Sequence, residues 1–190
     1  MLSVNNHPID EKAIETEFKR LLRVCSERLP AEEVQKQIPD FRRQAKDHAI
    51  NRQLLLEEAG RRKIDVSDKE IDFFLAQFSK QQSPETVVNE RLEKTSLDAD
   101  NVRDSIRNAC QIEKLIKAVI ASVPEPTNDE ALKYLNESGF APQDDGKHSE
   151  LTQKIIDKTR RLVRHLRQNQ ALTDFITELR KQAVVGETYA

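Results

Sequence analysis

INRQLLLEEAGRRKIDVSDKEIDFFLAQF, residues 50–78, contains the end of one helix and the start of the next, and both boundaries are written in side-chain chemistry. Gly60 is placed as the left-handed stop of the first helix, because glycine enters that conformation without a Cβ clash. Seven residues on, Ser67 and Glu70 form a capping box, with Val66 and Ile71 set as a hydrophobic staple across it. The apolar positions Ile71, Phe74, Leu75 and Phe78 then recur at helical spacing and define a core face; at about 100° per residue, Phe73 falls on the opposite side.

Working toward the N-terminus, Val34, Ile38, Phe41, Ala45 and Ala49 extend the first of these helices back to about Ala31, with Pro39 inside it and expected to kink or split it. Before it, Asp10 is placed as the N-cap of a helix whose single apolar face is Ile14, Phe18, Leu21, Leu22 and Cys25. Leu2 to Val4 precede Asn5, Asn6 and Pro8 and are long enough only for a minimal strand.

Toward the C-terminus, Ser83 and Pro84 open a short helix to about Lys94. A longer one follows from about Asp98 to Ser122, with Val102, Ile106, Ala109, Ile112, Leu115, Ile116, Val119 and Ile120 inward, stopped by Pro124. Thr127 and Glu130 make a second capping box for a helix that carries Leu132 and Leu135 and ends at Gly139. GFAPQDDGKHSEL, residues 139–151, interrupts the helical pattern. After it, Leu151, Ile155, Leu162, Leu166, Phe175, Ile176 and Leu179 mark one long helix from His148 to about Gln182. Ala183, Val184 and Val185 are β-competent and are placed to pair with Leu2 to Val4, a minimal two-stranded link between the termini.

The fold class is therefore all-α. The 190 residues are 37% hydrophobic and 34% charged, with four Gly and no Trp, a composition of helices with narrow apolar stripes and solvated outer faces. No run approaches the ~20 apolar residues of a membrane-spanning helix. The net charge of -2 gives no global attraction to nucleic acid. It is unevenly spread: Lys147 to Lys181 holds nine Lys and Arg against four Asp and Glu, a surplus of five that leaves the rest of the chain at -7.

Little in the sequence is built for catalysis. His7, His48, His148 and His165 are scattered, without partners at metal-ligand spacing, and Cys25 and Cys110 lie far apart and read as two buried thiols. No glycine-rich phosphate loop and no nucleophile elbow occurs. Asp144, Asp145 and Gly146 suggest a calcium loop, but counting from Asp144 puts Ile155 where the closing Glu belongs, so no metal is expected. KTRRLVRHLRQ, residues 158–168, spaces its arginines helically, yet with Leu162 and Leu166 facing inward it reads as a solvated helix face rather than a nucleic-acid surface.

Three blocks resemble the SurA, PrsA and PpiD group of chaperones and parvulin-type foldases. VNNHPIDEKAIETEFKRLL is similar to the family opening V-N-G-x-P-I-(S/T)-x-x-(E/D), with Asn5, Pro8 and Ile9 in place and Asn6 where Gly is usual. Residues 50–78 resemble L-I-x-x-x-L-L-x-x-E-A-x-x-x-G-I-x-V-S-(D/E)-x-E-(V/I)-(D/E), the most specific of the three. VPEPTNDEALKYLNESGF resembles the segment by which the chain leaves the N-terminal helical domain, V-x-(V/P)-T-(D/E)-x-E-(V/A)-x-x-Y-(Y/L).

The resemblance implies a SurA-N-like helical domain over 1–139, a connector over 140–150 where relatives insert a parvulin prolyl isomerase, and a C-terminal helix over 151–190 packing back on the first domain as one structural unit. The ten residues between Phe140 and Leu151 cannot hold that isomerase, so no enzyme, catalytic residue or cofactor is expected. The expected function is an ATP-independent, non-catalytic chaperone for unfolded or partly folded polypeptides. The alternative is an assembly protein that binds one folded partner or forms a homodimer through the same helices. Candidate client contacts are Phe73, opposite its helix's core face, and Phe140, just beyond a helix end. With Met1 three residues before the first motif, the expected location is the cytoplasm, or the periplasm or cell envelope if a leader has been removed.

Overall fold

The computed structural model describes residues 2–81, 99–140 and 150–187, without the side chains at 77–81, 99–101, 150–151 and 187. Six helices and a small sheet are present among them: β1 (Leu2–Val4), β2 (His7–Pro8), α1 (Glu11–Ser26), α2 (Ala31–Arg61), α3 (Asp68–Gln81), α4 (Ala99–Ala121), α5 (Asn128–Glu137), α6 (Glu150–Gln182) and β3 (Val185–Glu187). The short helix expected from Ser83 to Lys94 lies outside the described residues, as does most of the connector at 140–150. Two compact units divide the chain, residues 1–115 with 179–190, and residues 116–178, so both boundaries fall inside helices.

In the first unit the termini pair. β1 runs antiparallel to β3, with Ser3 opposite Gly186 and Val4 opposite Val185. The expected two strands become three, in the order β2-β1-β3. The reason is the Asn5-Asn6 pair. Both residues take positive φ, 48° and 69°, the two-residue hairpin geometry that turns the chain straight back into β2. The C-terminal strand begins at Val185 rather than Ala183, because Val184 is taken up by Asn5: its N–H donates to Asn5 Oδ1 at 2.9 Å and its carbonyl accepts from the Asn5 N–H at 2.8 Å. At Gly186 a Cβ would lie 3.1 Å from the Ser3 hydroxyl, so the close approach of the strands favours glycine there.

Beneath this sheet, Leu2, Val4 and Ile9 bury against Ile50 and Leu54 of α2, with Leu179 and Ala183 packed alongside. Arg180 fastens the arrangement by donating to Asn51 Oδ1 at 2.6 Å and to the carbonyl and carboxylate of Asp47, each at 3.0 Å. A second cluster joins α1 to α2 through Phe18, Val34, Phe41 and Ala45, with Cys25 half-buried at its edge. α1 opens as expected, Asp10 accepting from the Lys12 N–H at 2.9 Å.

α2 departs from expectation twice. Pro39 does not split it, and Gly60 does not end it. The helix continues to Arg61 and closes with Lys63 at φ 54°. The Lys63 N–H bonds the Gly60 carbonyl and the Ile64 N–H bonds the Ala59 carbonyl, both at 2.9 Å, the two-bond closure of a Schellman end. Gly60 thus lies within the last turn, with open space where a Cβ would be.

α3 begins with half of the expected box. Glu70 accepts from the Ser67 N–H at 3.0 Å, while the Ser67 hydroxyl donates to the same carboxylate at 2.9 Å instead of accepting from the helix. The staple residues Val66 and Ile71 are buried with Cys110 of α4. In α4, Ala109 is exposed and Cys110 is buried in its stead.

In the second unit, Thr127 and Glu130 form the full capping box of α5. Ala131 and Leu135 are buried on α5; Ile156, Thr159 and Val163 are buried on α6. Leu162 and Leu166, expected inward, are 46% and 44% exposed. The buried stripe runs one residue further round, because three arginines draw α6 toward the segment that enters α5. Arg160 Nε donates to the Pro126 carbonyl at 3.0 Å, Arg164 pairs with Glu125 at 2.6 Å, and Arg167 grips Glu130 with bonds of 2.6 and 3.3 Å.

Candidate functional site

Phe73 on α3 is 62% exposed, and Phe74 beside it, expected in the core, is 43% exposed. Two adjacent aromatic rings left in solvent are unusual for a helix that already buries Ile71, since each ring would ordinarily gain by burial. The backbone under them is firmly held. Arg103 of α4 pairs with Asp72 at 2.8 Å, Arg107 reaches Asp68 at 3.4 Å, and Lys114 pairs with Glu70 at 2.7 Å. Gln111 Nε2 and Lys114 Nζ also donate to the carbonyls of Ile64 and Asp65, at 3.0 and 2.7 Å, fixing the link before α3. Lys114, helped by the Ser67 backbone, lowers the Glu70 carboxyl to about 2. The result is a pinned helix that presents two phenylalanines outward between acidic side chains whose charges are matched by α4.

Phe140 is set by the end of α5. Gly139 takes φ 76°, its N–H bonds the Asn136 carbonyl at 3.1 Å, and the Phe140 N–H bonds the Leu135 carbonyl at 3.0 Å. In such an end the residue after glycine usually packs back on the helix. Phe140 does not: it is 76% exposed. Phe73 and Phe140 are thus both exposed, but they belong to different compact units. The spacing that put Phe73 off its core face was the signal that found it. Phe74, Leu162 and Leu166 were missed because periodicity ranks a face by its own residues and not by what the neighbouring helix covers.

The remaining chemistry is structural. Among the described residues no group of His, Cys, Asp and Glu is arranged to hold a metal ion. Neither Cys25 nor Cys110 forms a disulfide. Among the described residues no helix is long and apolar enough to cross a membrane. The SurA-like N-terminal domain family matches residues 1–116. No curated protein and no solved structure matches the chain. The match takes in the paired N-terminal strand, α1 to α3, the exposed Phe73 and Phe74, and most of α4, and on that extent the chain belongs to the SurA-like N-terminal domain family.

Proposed function

We propose that the protein is an ATP-independent, non-catalytic chaperone that holds unfolded or partly folded polypeptides against α3. The observation that carries this reading is the outward pair Phe73 and Phe74, 62% and 43% exposed, on a helix inside the matched family region. Aromatic rings on a rigid backbone offer large apolar contact with little ordering of the binder, which suits a surface that must accept many sequences. Family membership supports a chaperone-related role in general terms; the client surface is our assignment.

The test is light scattering from a chemically denatured protein diluted into buffer with and without this chain. Near-stoichiometric chain is expected to suppress aggregation, and Phe73→Ser/Phe74→Ser to lose most of that effect while keeping the wild-type circular dichroism spectrum at the assay temperature. A proline-peptide assay run alongside is expected to show no acceleration of cis/trans isomerisation. Equal scattering with and without the chain would sink the chaperone reading. Recovery of one stoichiometric folded partner, with no affinity for unfolded chains, would favour an assembly role instead.

A further inference from the structure

The second unit carries its own exposed surface, chemically different from α3. On α6 the buried stripe is Ile156, Thr159 and Val163, which leaves Leu162 and Leu166, one turn apart, 46% and 44% exposed. The cationic side chains of this stretch fall into two rows. Arg160, Arg164 and Arg167 turn toward α5 and are bonded to Pro126, Glu125 and Glu130. Lys158 and Arg161 are exposed, lie within a turn of Leu162, and have no ion pair or hydrogen bond among the described residues. His165, also exposed, contacts Asn169 at 3.2 Å. The sequence has no Asp or Glu from Lys158 to Thr173, and Asp157, the carboxylate at the edge of this row, pairs with Arg160 at 3.9 Å.

We propose that this face of α6 docks an acidic, amphipathic polypeptide segment, whose apolar side chains cover Leu162 and Leu166 and whose carboxylates meet Lys158 and Arg161. Charge complementarity selects the partner's sign, and the leucines select its class. A phosphate backbone would satisfy the cations and leave both leucines in water, whereas an amphipathic segment covers both features together. The surface lies outside the region that reads as the client site on α3, and the two are tested separately.

The probe is a short fluorescein-labelled helical peptide with leucines at i and i+4 flanked by glutamates, titrated against the full chain by anisotropy. Two controls replace its glutamates by glutamine or by lysine. The acidic peptide is expected to bind at least about tenfold tighter than the glutamine version, with affinity falling as salt rises. Leu162→Ser/Leu166→Ser is expected to abolish that binding. Lys158→Glu/Arg161→Glu is expected to transfer the preference to the lysine peptide, a gain that a misfolded variant could not produce. Phe73→Ser/Phe74→Ser is expected to leave the peptide affinity unchanged, so failure here and failure of the chaperone reading are separable. Equal affinity for all three peptides overturns the proposal. So does binding of duplex DNA or anionic vesicles, but not of the acidic peptide, that the lysine and arginine reversal removes.

Discussion

At the start of α5, Glu130 accepts from the Thr127 N–H at 2.8 Å and from Arg167, and Arg167 above all holds its carboxyl down to about 2 from an ordinary 4.5. A carboxylate whose folded-state pKa is depressed stabilises the fold above its unfolded value and loses that contribution as pH falls through the window between the two. Glu130→Gln keeps an acceptor but removes the charge. Its deficit in urea midpoint relative to wild type is expected to be full near neutral pH and to fade as pH falls from 4.5 toward about 2. Lys63 offers a second test at this scale. Its φ of 54° is strained for a side chain with a Cβ, while Gly60 sits in helical conformation with open space around it. Gly60→Ala is therefore expected to stabilise by about 0.5 to 1 kcal/mol, as is Lys63→Gly. Were Gly60 the left-handed cap, alanine there would destabilise instead, so thermal or urea unfolding decides between the two placements.

Helix α6 shows how one element can be recognised correctly and rotated wrongly. Its length and its unbroken apolar pattern were plain, but the pattern contains two overlapping stripes, Leu162 with Leu166 and Ile156 with Val163. The neighbour decides between them. The bonds from Arg160, Arg164 and Arg167 to the α5 approach turn Val163 inward. Val163→Ala is expected to destabilise by about 2 kcal/mol, whereas Leu162→Ala should change stability by less than about 0.5 kcal/mol. Circular dichroism melts of the two variants measure the contrast directly. Helix α3 repeats the lesson at Phe74, which shares a face with Ile71 and Leu75 by angle and still lies 43% exposed.

Across the molecule, the first unit is closed by its own termini. Ser3 and Gly186, 183 residues apart, are opposite one another in the sheet. Leu2 and Val4 are buried beneath it, so the sheet is a cover over the α2 core rather than an appendage. Removing residues 184–190 is expected to lower unfolding stability by about 2 to 3 kcal/mol, from the lost backbone bonds and the uncovered apolar side chains. It should leave acidic-peptide binding to α6 intact. Denaturant titration and the anisotropy assay, run on the same truncated chain, check both halves of that expectation.

Residues alone determined the helical class, the positions of most helices, the capping at Asp10 and Thr127, and the pairing of the two ends. Each of these follows from short-range chemistry: spacing at 3.6 residues, a cap oxygen near a free N–H, a β-competent run beside a turn. The outward Phe73 was legible for the same reason, and the family resemblance carried the functional reading further than composition could. Tertiary packing decided the rest. It chose the buried stripe of α6 and left Phe74 outside. It also engaged one arginine row of α6 and left Lys158 and Arg161 open. These outcomes depend on which surface a neighbouring element covers and which charges it brings, and a one-dimensional pattern contains no record of its neighbours.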